Sequence, residues 1–518
     1  MKANSLILTL LLSVTVAVTT SAQKMPLVYD VENTGASFPP PNFPVLDSLP
    51  VIYPLPDPFQ WADSSTRIAY KTDWRQRRAE IGAMIQHYEI GEKPPRPDSI
   101  TASYSSSDSI LHVNVTVGSH TLTLTSKVIP PAGPGPYPAI IGMNSPSGSI
   151  PSSFFTNRDI ARIPFMHNQV TMYGNPQTSD PYYQLYPSLN PNNTGQYSAW
   201  AWGVSRLIDG LELVQDSLPI DLRRIAVTGC SYAGKMALFA GAFDERIALT
   251  LAIESGGGGA TSWRYSHSEL PGTVECIDNT DYNWFMDSMK QFSGDNVLRM
   301  PIDHHELMAM CAPRALYVTG NPDYTWLSNP SCDVCSRACQ RVYNALQIGD
   351  RFGFSIMGGH THCLIPTDQI TEIGWMVDKF ILGQDSIFTG YVVDSPYHFD
   401  TSGWITFSPA IIPDNPTSVS GSEAVVNSYD LEQNYPNPFN PTTTIQYSVQ
   451  RSSRVELRIY NALGQTIKTL VDGLRNSGRY SVRWDGTDSY GKAVPSGTYF
   501  YRITVGGYTS AKKMIYLK

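Results

Sequence analysis

The sequence predicts a three-layer α/β sandwich domain followed by a small all-β sandwich. Between about residues 70 and 385, short apolar runs alternate with helical patterns, which predicts buried parallel strands joined by crossover helices. After Gly383 the helical patterns stop, and alternating strands divided by Gly, Asn and Asp turns fill residues 430–518. A chain of 518 residues is also too long for one ordinary domain, so two folded units are expected.

The N-terminal residues have the pattern of an export signal. Met1-Lys2 precedes an apolar stretch from Leu6 to Val18, and Thr20-Ser21-Ala22 supplies small residues for cleavage. This pattern predicts a signal peptide over residues 1–22 and a secreted protein whose cysteines can form disulfides. No later segment is apolar enough to span a bilayer, so no membrane span is expected in the mature protein. The net charge of −8 is spread along the chain without basic runs, so nucleic acid is not an expected partner.

Local patterns give the order of elements in the α/β domain, residues 23–411. A helix is predicted from Asp73 to Gly91, and residues 101–129 alternate with period two, as in a hairpin or meander. The buried strands are predicted at Ala139–Gly142, Ile225–Thr228, Leu249–Ile253, Ala315–Val318 and Phe354–Met357, and further helices at Trp200–Asp216 and Thr367–Leu382. Residues 412–429 are rich in Pro, Ser, Gly and Asn, which predicts a linker.

One strand runs directly into Gly229-Cys230-Ser231-Tyr232-Ala233-Gly234, and a helical pattern follows at once. A sharp strand-to-helix turn needs small residues around the serine so that its Oγ is exposed at the N-terminus of the helix. The segment therefore predicts a nucleophile elbow with Ser231 as the nucleophile. The second glycine comes one residue later than in Gly-x-Ser-x-Gly, and a purely structural turn is the alternative.

The order of the partner residues favours catalysis. Glu254 ends the next strand, and His362 follows the last predicted strand. Carboxyl ends of parallel strands meet at one edge of a sheet, and the order serine, acid, histidine is that of α/β-hydrolases. The sequence therefore predicts a triad of Ser231, Glu254 and His362. Asp323, which also follows a strand, is the alternative acid.

The cysteines provide a separate indication. A hydrogen bond between Ser231 and His362 would bring Cys230 and Cys363 close to disulfide distance, so a disulfide is expected there. Cys332, Cys335 and Cys339 could suggest zinc, but a secreted protein favours disulfides. The segment Asp303-His304-His305-Glu306 also lacks the His-Glu-x-x-His spacing of zinc hydrolases. No metal and no cofactor are therefore expected.

Several segments of residues 70–390 together resemble the glucuronoyl esterases of carbohydrate esterase family 15. They are Gly229-Cys230-Ser231 with Gly234-Lys235, the segment Gly241–Leu249, Glu254-Ser255-Gly256, Trp263-Arg264, Asp303-His304-His305, Ala312-Pro313-Arg314, Trp326-Leu327 and His362-Cys363. The resemblance implies an α/β-hydrolase fold, the same triad and the same disulfide. It also implies that Lys235 and Trp326 contact the uronate, and it suggests Glu275 as a sugar-contacting side chain.

Two positions depart from the family pattern. The family usually has Arg after the nucleophile, where its side chain assists the oxyanion, and this chain has Tyr232. The backbone N–H of Tyr232 can still donate to the oxyanion. Ser262 stands where relatives often have Cys, so the pairing of the remaining cysteines is open: Cys276, Cys311, Cys332, Cys335 and Cys339.

The last 90 or so residues resemble a second family. The segments are Asn434-Tyr435-Pro436-Asn437-Pro438-Phe439-Asn440-Pro441, Tyr460-Asn461 with Leu463-Gly464, Trp484-Asp485-Gly486, Pro495–Tyr499 and Lys512-Lys513-Met514. They resemble the C-terminal sorting domain of the type IX secretion system. The resemblance implies type IX machinery as a partner and export across a Bacteroidota-type outer membrane, to the medium or to the cell surface. A carbohydrate-binding sandwich is the alternative for residues 430–518.

The expected function is that of a secreted serine carboxylesterase acting on esters of (4-O-methyl) glucuronic acid in glucuronoxylan, as in lignin–carbohydrate cross-links. Two alternatives remain. An acetyl or feruloyl polysaccharide esterase would use the same triad without recognising the uronate. A carbohydrate-binding protein on an inactive hydrolase scaffold would not use the triad. The intact Ser231, Glu254 and His362 argue against that alternative.

Overall fold

The structure, a computed structural model, describes residues 25–32, 38–97, 99–269, 272–387, 389, 393–407, 411–414, 429–434, 437–451, 453–475, 478–489 and 492–517. The chain divides into two compact units, Met1–Pro416 and Thr417–Lys518. The predicted signal peptide, residues 1–22, lies outside the described residues. Within the ranges given above, no helix combines the length and the apolar character that crossing a membrane requires.

The described residues of the first unit form two sheets. Its strands are β1 (Ser99–Ser105), β2 (Ile110–Val117), β3 (His120–Lys127), β4 (Tyr137–Met143), β5 (Ala161–Phe165), β6 (Ile220–Cys230), β7 (Ile247–Ile253), β8 (Ala315–Gly320), β9 (Phe352–Ile356) and β10 (Val393–Asp394). The strands β1 to β3 form the predicted antiparallel meander. The others form a sheet in the order β10-β9-β8-β7-β6-β4-β5, in which every described pair is parallel.

Helices cover both faces of this central sheet. They are α1 (Trp74–Ile85), α2 (Pro181–Leu185), α3 (Gln196–Leu213), α4 (Tyr232–Phe243), α5 (Trp263–Glu269), α6 (His304–Ala309), α7 (Asn329–Ala345) and α8 (Thr367–Phe380). The side chains of α1, α3, α4, α6 and α7 share one apolar core with β1 to β3 and one face of the sheet. The other face packs against α8 and the turn Ser152–Phe155. This arrangement is the predicted three-layer α/β sandwich.

Turns at several places complete the chain trace. Short 3₁₀ turns lie at Leu46–Ser48, Lys71–Asp73, Ser152–Phe155, His167–Gln169, Asp287–Phe292, Gly294–Arg299, Thr325–Leu327 and Gly349–Arg351. The helix predicted from Asp73 to Gly91 is α1, continued by a π turn over Gln86–Ile90. Gly91 ends this π turn with a φ of 80°, which glycine adopts without strain.

The segment Met25–Glu32 belongs to the first unit. The backbone N–H of Tyr29 donates to the carbonyl oxygen of Glu245 over 3.0 Å. The carboxylate of Glu32 forms ion pairs with Lys93 and Arg206, which are both buried. Burial opposes ionisation of Glu32, but these two cations hold its pKa below the ordinary value. The segment thus supplies an ion-pair partner to two buried cations, of which Arg206 is also paired with Asp209.

The first unit continues into the region predicted as a linker. The backbone N–H of Ile412 donates to the carbonyl oxygen of Ala345 over 2.9 Å, and that of Lys71 donates to the carbonyl oxygen of Pro413 over 2.8 Å. The chain therefore stays packed on the first unit at least as far as Pro413. The rest of the predicted linker, residues 415–428, lies outside the described residues.

Two antiparallel sheets make up the part of the second unit that the structure describes. Its strands are β11 (Asp430–Leu431), β12 (Thr443–Val449), β13 (Ser453–Asn461), β14 (Thr466–Arg475), β15 (Gly478–Trp484), β16 (Gly497–Val505) and β17 (Tyr508–Tyr516). The sheet orders are β11-β12-β15 and β14-β13-β16-β17. Phe439, from the Asn-Pro-Phe-Asn-Pro motif, is buried against Trp484 and Tyr516. The motif therefore contributes to the core of an all-β sandwich.

Candidate active site

Ser231 lies at the turn between β6 and α4. Its backbone has φ 59° and ψ −128°, a conformation that non-glycine residues rarely adopt. A Cβ on Gly229 would lie 2.2 Å from the carbonyl oxygen of Ala233, and a Cβ on Gly234 would lie 2.5 Å from that of Ile253. The second glycine lies one residue later than in Gly-x-Ser-x-Gly because α4 passes closest to the end of β7 at Gly234. The turn has the geometry of a nucleophile elbow.

Glu254 directly follows β7 and is completely buried. Its Oε2 lies 2.6 Å from Nδ1 of His362, and both carboxylate oxygens lie 3.3 Å from the backbone N of Cys363. The backbone N–H of Glu254 is held by Thr319, whose carbonyl oxygen is 3.1 Å away and whose hydroxyl oxygen is 3.0 Å away. A buried carboxylate on Nδ1 fixes the histidine tautomer and leaves Nε2 free to accept a proton.

A disulfide links the two loops that carry the predicted nucleophile and base. Cys230 and Cys363 are joined with their Cα atoms 5.7 Å apart. One ring nitrogen of His362 lies within 4.8 Å of both sulfur atoms. Because Cys230 precedes Ser231 and Cys363 follows His362, the disulfide links the turn that carries Ser231 to the loop that carries His362.

Asp323, the alternative acid, has a different partner. Its Oδ2 accepts a hydrogen bond of 2.5 Å from the backbone N–H of Gly359, so it ties two loops together. His360 is the second histidine near the acid: its Nδ1 lies 3.7 Å from Oε1 of Glu254, and its Nε2 lies 2.9 Å from the carbonyl oxygen of Met357. His362 therefore contacts Glu254, whereas Asp323 contacts the loop at Gly359.

Tyr232 begins α4 immediately after Ser231. As the first helical residue it has a backbone N–H without an intrahelical acceptor, at the positive end of the helix. Its hydroxyl oxygen accepts a hydrogen bond from Nδ2 of Asn144, and its ring packs on Tyr173 with centroids 4.4 Å apart. Burial and the neighbouring Tyr173 raise the pKa of Tyr232 above its ordinary value. The phenol is therefore kept protonated.

Lys235 and Glu275 form an ion pair one helical turn from Ser231. The Nζ of Lys235 lies 2.9 Å from Oε2 of Glu275 and 4.8 Å from the centre of the Trp284 ring. The hydroxyl of Thr280 donates to the other oxygen of Glu275 over 3.0 Å. Lys235 is 3% exposed. The two predicted sugar-contacting residues are thus brought together, with an aromatic face beside them.

Trp326 lies beside the predicted base. Its ring centroid is 6.0 Å from that of His362, and Tyr324 lies 5.3 Å from the same imidazole. The carbonyl oxygen of Trp326 accepts a hydrogen bond of 3.0 Å from the N–H of Glu275. The indole is 48% exposed, which is high for such a large apolar side chain. It offers an accessible apolar surface next to His362.

The other cysteines are free and buried: Cys276, Cys311, Cys332, Cys335 and Cys339. Three of them follow the spacing that suggested zinc, and they lie on α7, where Cys335 contacts the sulfur of Met308. Ser262, at the position where relatives often have Cys, donates a hydrogen bond of 2.8 Å to Asp303. Ser262 therefore forms a hydrogen bond to the N-cap residue of α6 at the position where relatives often have Cys.

Three residues near the site have no counterpart in the sequence prediction: Asn144, Thr319 and Trp284. Asn144 directly follows β4, and a polar residue at the carboxyl end of a strand is the same signal that indicated Glu254. Thr319 lies inside β8 and acts through its contact with the backbone of Glu254. Trp284 comes from an irregular loop without a local motif, so only the folded chain reveals its contact with Lys235.

Comparison with known proteins gives the family. Residues 113–347 match the family model described as glucuronyl esterase, fungi. The 4-O-methyl-glucuronoyl methylesterase of Podospora anserina is 36% identical over 385 residues, which cover 72% of this chain and 77% of that protein. The chain belongs to the glucuronoyl esterase family. Members of this family are carboxylic ester hydrolases, and so is this chain.

Solved glucuronoyl esterases have the same fold. The catalytic domain from Hypocrea jecorina superposes with a TM-score of 0.65 at 34% identity, covering 70% of this chain and 98% of that domain. A serine-to-alanine variant of the enzyme from Sporotrichum thermophile has a TM-score of 0.63 at 34% identity, covering 69% of this chain and 95% of that one. That variant was solved in complex with methyl 4-O-methyl-β-D-glucopyranuronate. The α/β-hydrolase prediction for this glucuronoyl esterase family member is confirmed.

The second unit matches a different model. Residues 440–510 correspond to the FlgD Ig-like domain family. This match agrees with the all-β sandwich of the second unit. The type IX sorting role of the unit stays a prediction.

Proposed function

We propose that this chain hydrolyses esters of 4-O-methyl-glucuronic acid through an acyl-enzyme on Ser231. The observation that carries the proposal is the hydrogen bond of 2.6 Å between buried Glu254 and His362, next to a strained serine at a nucleophile elbow. The names of the relatives and the uronate bound to the Sporotrichum thermophile variant support the choice of substrate.

In the proposed mechanism, the Oγ of Ser231 attacks the ester carbonyl while Nε2 of His362 takes its proton. Glu254 keeps Nδ1 protonated and stabilises the imidazolium that forms. The N–H of Tyr232 donates to the oxyanion of the tetrahedral intermediate. The C–O bond to the alcohol then breaks, and the alcohol leaves with the proton from His362. Water, deprotonated by the same imidazole, attacks the acyl-enzyme. The C–O bond to Oγ breaks, His362 returns the proton to Ser231, and the uronate leaves.

The uronate is proposed to bind between Lys235, Glu275 and Trp326. Lys235 lies one helical turn after Ser231, so its ammonium is on the same side of α4 as the reacting serine. The ammonium and the carboxylate of Glu275 can both hydrogen bond to ring hydroxyls, and the exposed indole of Trp326 offers an apolar wall. The natural substrate we propose is an ester on glucuronoxylan, as in lignin–carbohydrate cross-links.

Four substrates test the proposal: benzyl glucuronate, benzyl galacturonate, acetylated xylan and a feruloylated oligosaccharide. We expect kcat/KM on benzyl glucuronate to exceed that on the galacturonate epimer by about tenfold or more, because one misplaced hydroxyl leaves a buried polar partner unpaired. The Ser231→Ala variant serves as the control and should be inactive on every ester. Faster release of acetate or ferulate than of the benzyl alcohol would contradict the proposed substrate class.

We also propose that the protein is secreted, with residues 1–22 as the signal peptide and residues 430–518 as a type IX sorting domain. The motifs quoted above and the separate compact fold of the second unit support this proposal. The test is expression in a bacterium with type IX secretion and in its secretion-deficient mutant. Esterase activity in the medium or at the cell surface should depend on the machinery. A chain ending at residue 428 should be retained, and its export at the normal level would contradict the sorting role.

A further inference from the structure

We propose that the hydroxyl group of Tyr232 is a second donor to the oxyanion and that Asn144 positions it. This inference rests on the proposed acyl-enzyme mechanism and assigns a catalytic role to a side chain, in addition to the backbone N–H of the same residue. The contact that motivates it is the hydrogen bond of 2.5 Å from Nδ2 of Asn144 to the phenolic oxygen.

The sheet register puts this contact beside the nucleophile. Strands β4 and β6 are direct neighbours, with Gly142 opposite Thr228. Gly142 and Thr228 are the last described pair, and Asn144 follows at the carboxyl end of β4, the same end of the sheet at which β6 leads into Ser231. In α/β-hydrolases, the loop after the strand that neighbours the nucleophile strand supplies the second oxyanion donor. The contact between Asn144 and Tyr232 therefore joins the two chain segments that supply oxyanion donors in this fold: the loop after β4 and the residue after Ser231.

Asn144 itself cannot supply that donor through its backbone. Its N–H donates to the carbonyl oxygen of Phe165 over 2.9 Å, and its φ of 62° fixes the chain at this point. Its side-chain amide donates to Tyr232. The loop thus contributes to the oxyanion site through the phenol that it holds.

The hydrogen-bond direction leaves the phenol proton free for the substrate. The phenolic oxygen accepts from Asn144, so its own O–H can donate elsewhere. Accepting a hydrogen bond also polarises the O–H group and makes it a better donor. The packing of Tyr173 against the ring limits its orientation, and burial keeps the phenol protonated. The hydroxyl is preorganised for a developing negative charge.

The role is tested with Tyr232→Phe in the full-length chain, assayed on benzyl glucuronate and on an aryl acetate. Both reactions pass through an oxyanion, so we expect kcat to fall by about ten- to hundredfold on both substrates, with KM changed by less than about threefold. A loss confined to the glucuronate would mean that the hydroxyl contacts the sugar, and would overturn the proposal. Unchanged kcat on both substrates would overturn it as well.

Asn144 is tested through two substitutions. In Asn144→Asp the side chain can only accept, so the phenol proton turns toward the carboxylate and kcat should fall as far as in Tyr232→Phe. Asn144→Ala should lose less, because the hydroxyl stays free to donate. Equal, small effects of both variants would contradict the positioning role.

Tyr197→Phe is the matched control. The hydroxyl of Tyr197 donates to the backbone carbonyl of Tyr232 over 3.4 Å, so its removal should leave kcat within about twofold of the wild-type value.

A boronic acid that forms an anionic tetrahedral adduct with the serine provides a measurement independent of turnover. Its affinity should fall in Tyr232→Phe by the same factor as kcat, because the adduct presents the same negative oxygen. Circular dichroism and the melting temperature identify any variant that fails to fold. An unchanged inhibition constant in a folded variant would overturn the proposal even if turnover were reduced.

Discussion

The ammonium of Lys235 lies 2.9 Å from the carboxylate of Glu275, although the two residues are 40 positions apart in the sequence. The pair is almost shielded from water, so neither charge has an alternative partner of equal strength. Lys235 lies one helical turn after Ser231 on α4. A sugar hydroxyl placed there can receive a hydrogen bond from one group and donate to the other.

Replacing Lys235 by Met should lower kcat/KM on benzyl glucuronate by about ten- to hundredfold, because a hydrogen bond to a charged donor contributes about 1.5–3 kcal/mol. Methionine retains most of the length of the side chain and its contact with Trp284. The aryl acetate lacks the sugar and should be hydrolysed at nearly the original rate. Equal losses on both substrates would assign Lys235 to the support of the elbow.

The acid of the triad can be tested against its alternative. Glu254→Gln should lower kcat by about 10²–10⁴, because an amide cannot both accept from the histidine and stabilise an imidazolium. Asp323→Asn is the matched control. It removes the charge from a carboxylate that contacts Gly359, so kcat should stay within about threefold. A larger loss in Asp323→Asn than in Glu254→Gln would reverse the assignment.

The disulfide should matter for both rate and stability. It closes a loop of 133 residues, for which the chain-entropy model gives about 5 kcal/mol of stabilisation. The double variant Cys230→Ala/Cys363→Ala should unfold at a lower denaturant concentration and should lose kcat, since Ser231 and His362 are no longer linked. Cys335→Ala, which removes a free thiol from α7, should keep its kcat. A double variant with the wild-type kcat would show that packing alone positions the two loops.

Acid should destabilise the first unit through His305. Burial lowers the pKa of this imidazole from 6.5 to about 4. Between these values the unfolded chain binds a proton that the folded chain does not, so the free energy of unfolding falls as the pH drops through this range, by up to about 3 kcal/mol. The stability is fully present above about pH 6.5.

Urea unfolding of the wild type and of His305→Phe between pH 4 and 7 measures this effect. The stability difference between the two proteins should shrink as the pH falls, because only the wild type carries the buried imidazole. Glu306, whose pKa burial raises to about 7, changes the pH dependence in the opposite sense in both proteins, so the difference isolates His305. Parallel curves would contradict the prediction.

Local sequence patterns predict five strands of the central sheet and the helices α1, α3, α4 and α8, but the prediction did not include α7. The apolar runs of β4, β6, β7, β8 and β9 and the small residues around Ser231 are contiguous in the chain, so each gives a readable signal. Strand β5 was missed because Arg162 and Pro164 interrupt its apolar pattern. Proline is tolerated in such strands at a sheet edge, and β5 is at the edge of the described central sheet. Strand β10 has only two residues, too few for a pattern.

The site was predictable where a residue follows a strand and unpredictable where contacts join distant segments. Glu254 and His362 were indicated by their positions after strands. Two contacts depend on chain segments that meet only after folding. They are the hydrogen bond from the backbone N–H of Glu254 to Thr319 and the contact of Lys235 with the indole of Trp284. A hydrogen bond such as that from Asn144 to Tyr232 likewise has no trace in local composition.

The ion pairs of Glu32 affect how this protein can be shortened. A recombinant form trimmed to begin at α1 would keep Lys93 and Arg206 inside the first unit. Arg206 would retain its ion pair with Asp209, but Lys93 would lose the carboxylate of Glu32. An uncompensated buried charge costs about 3–5 kcal/mol, a large part of the stability of an ordinary domain. Proteolytic removal of the segment before residue 33 would have the same effect. The N-terminal extension should therefore be counted as part of the minimal folding unit.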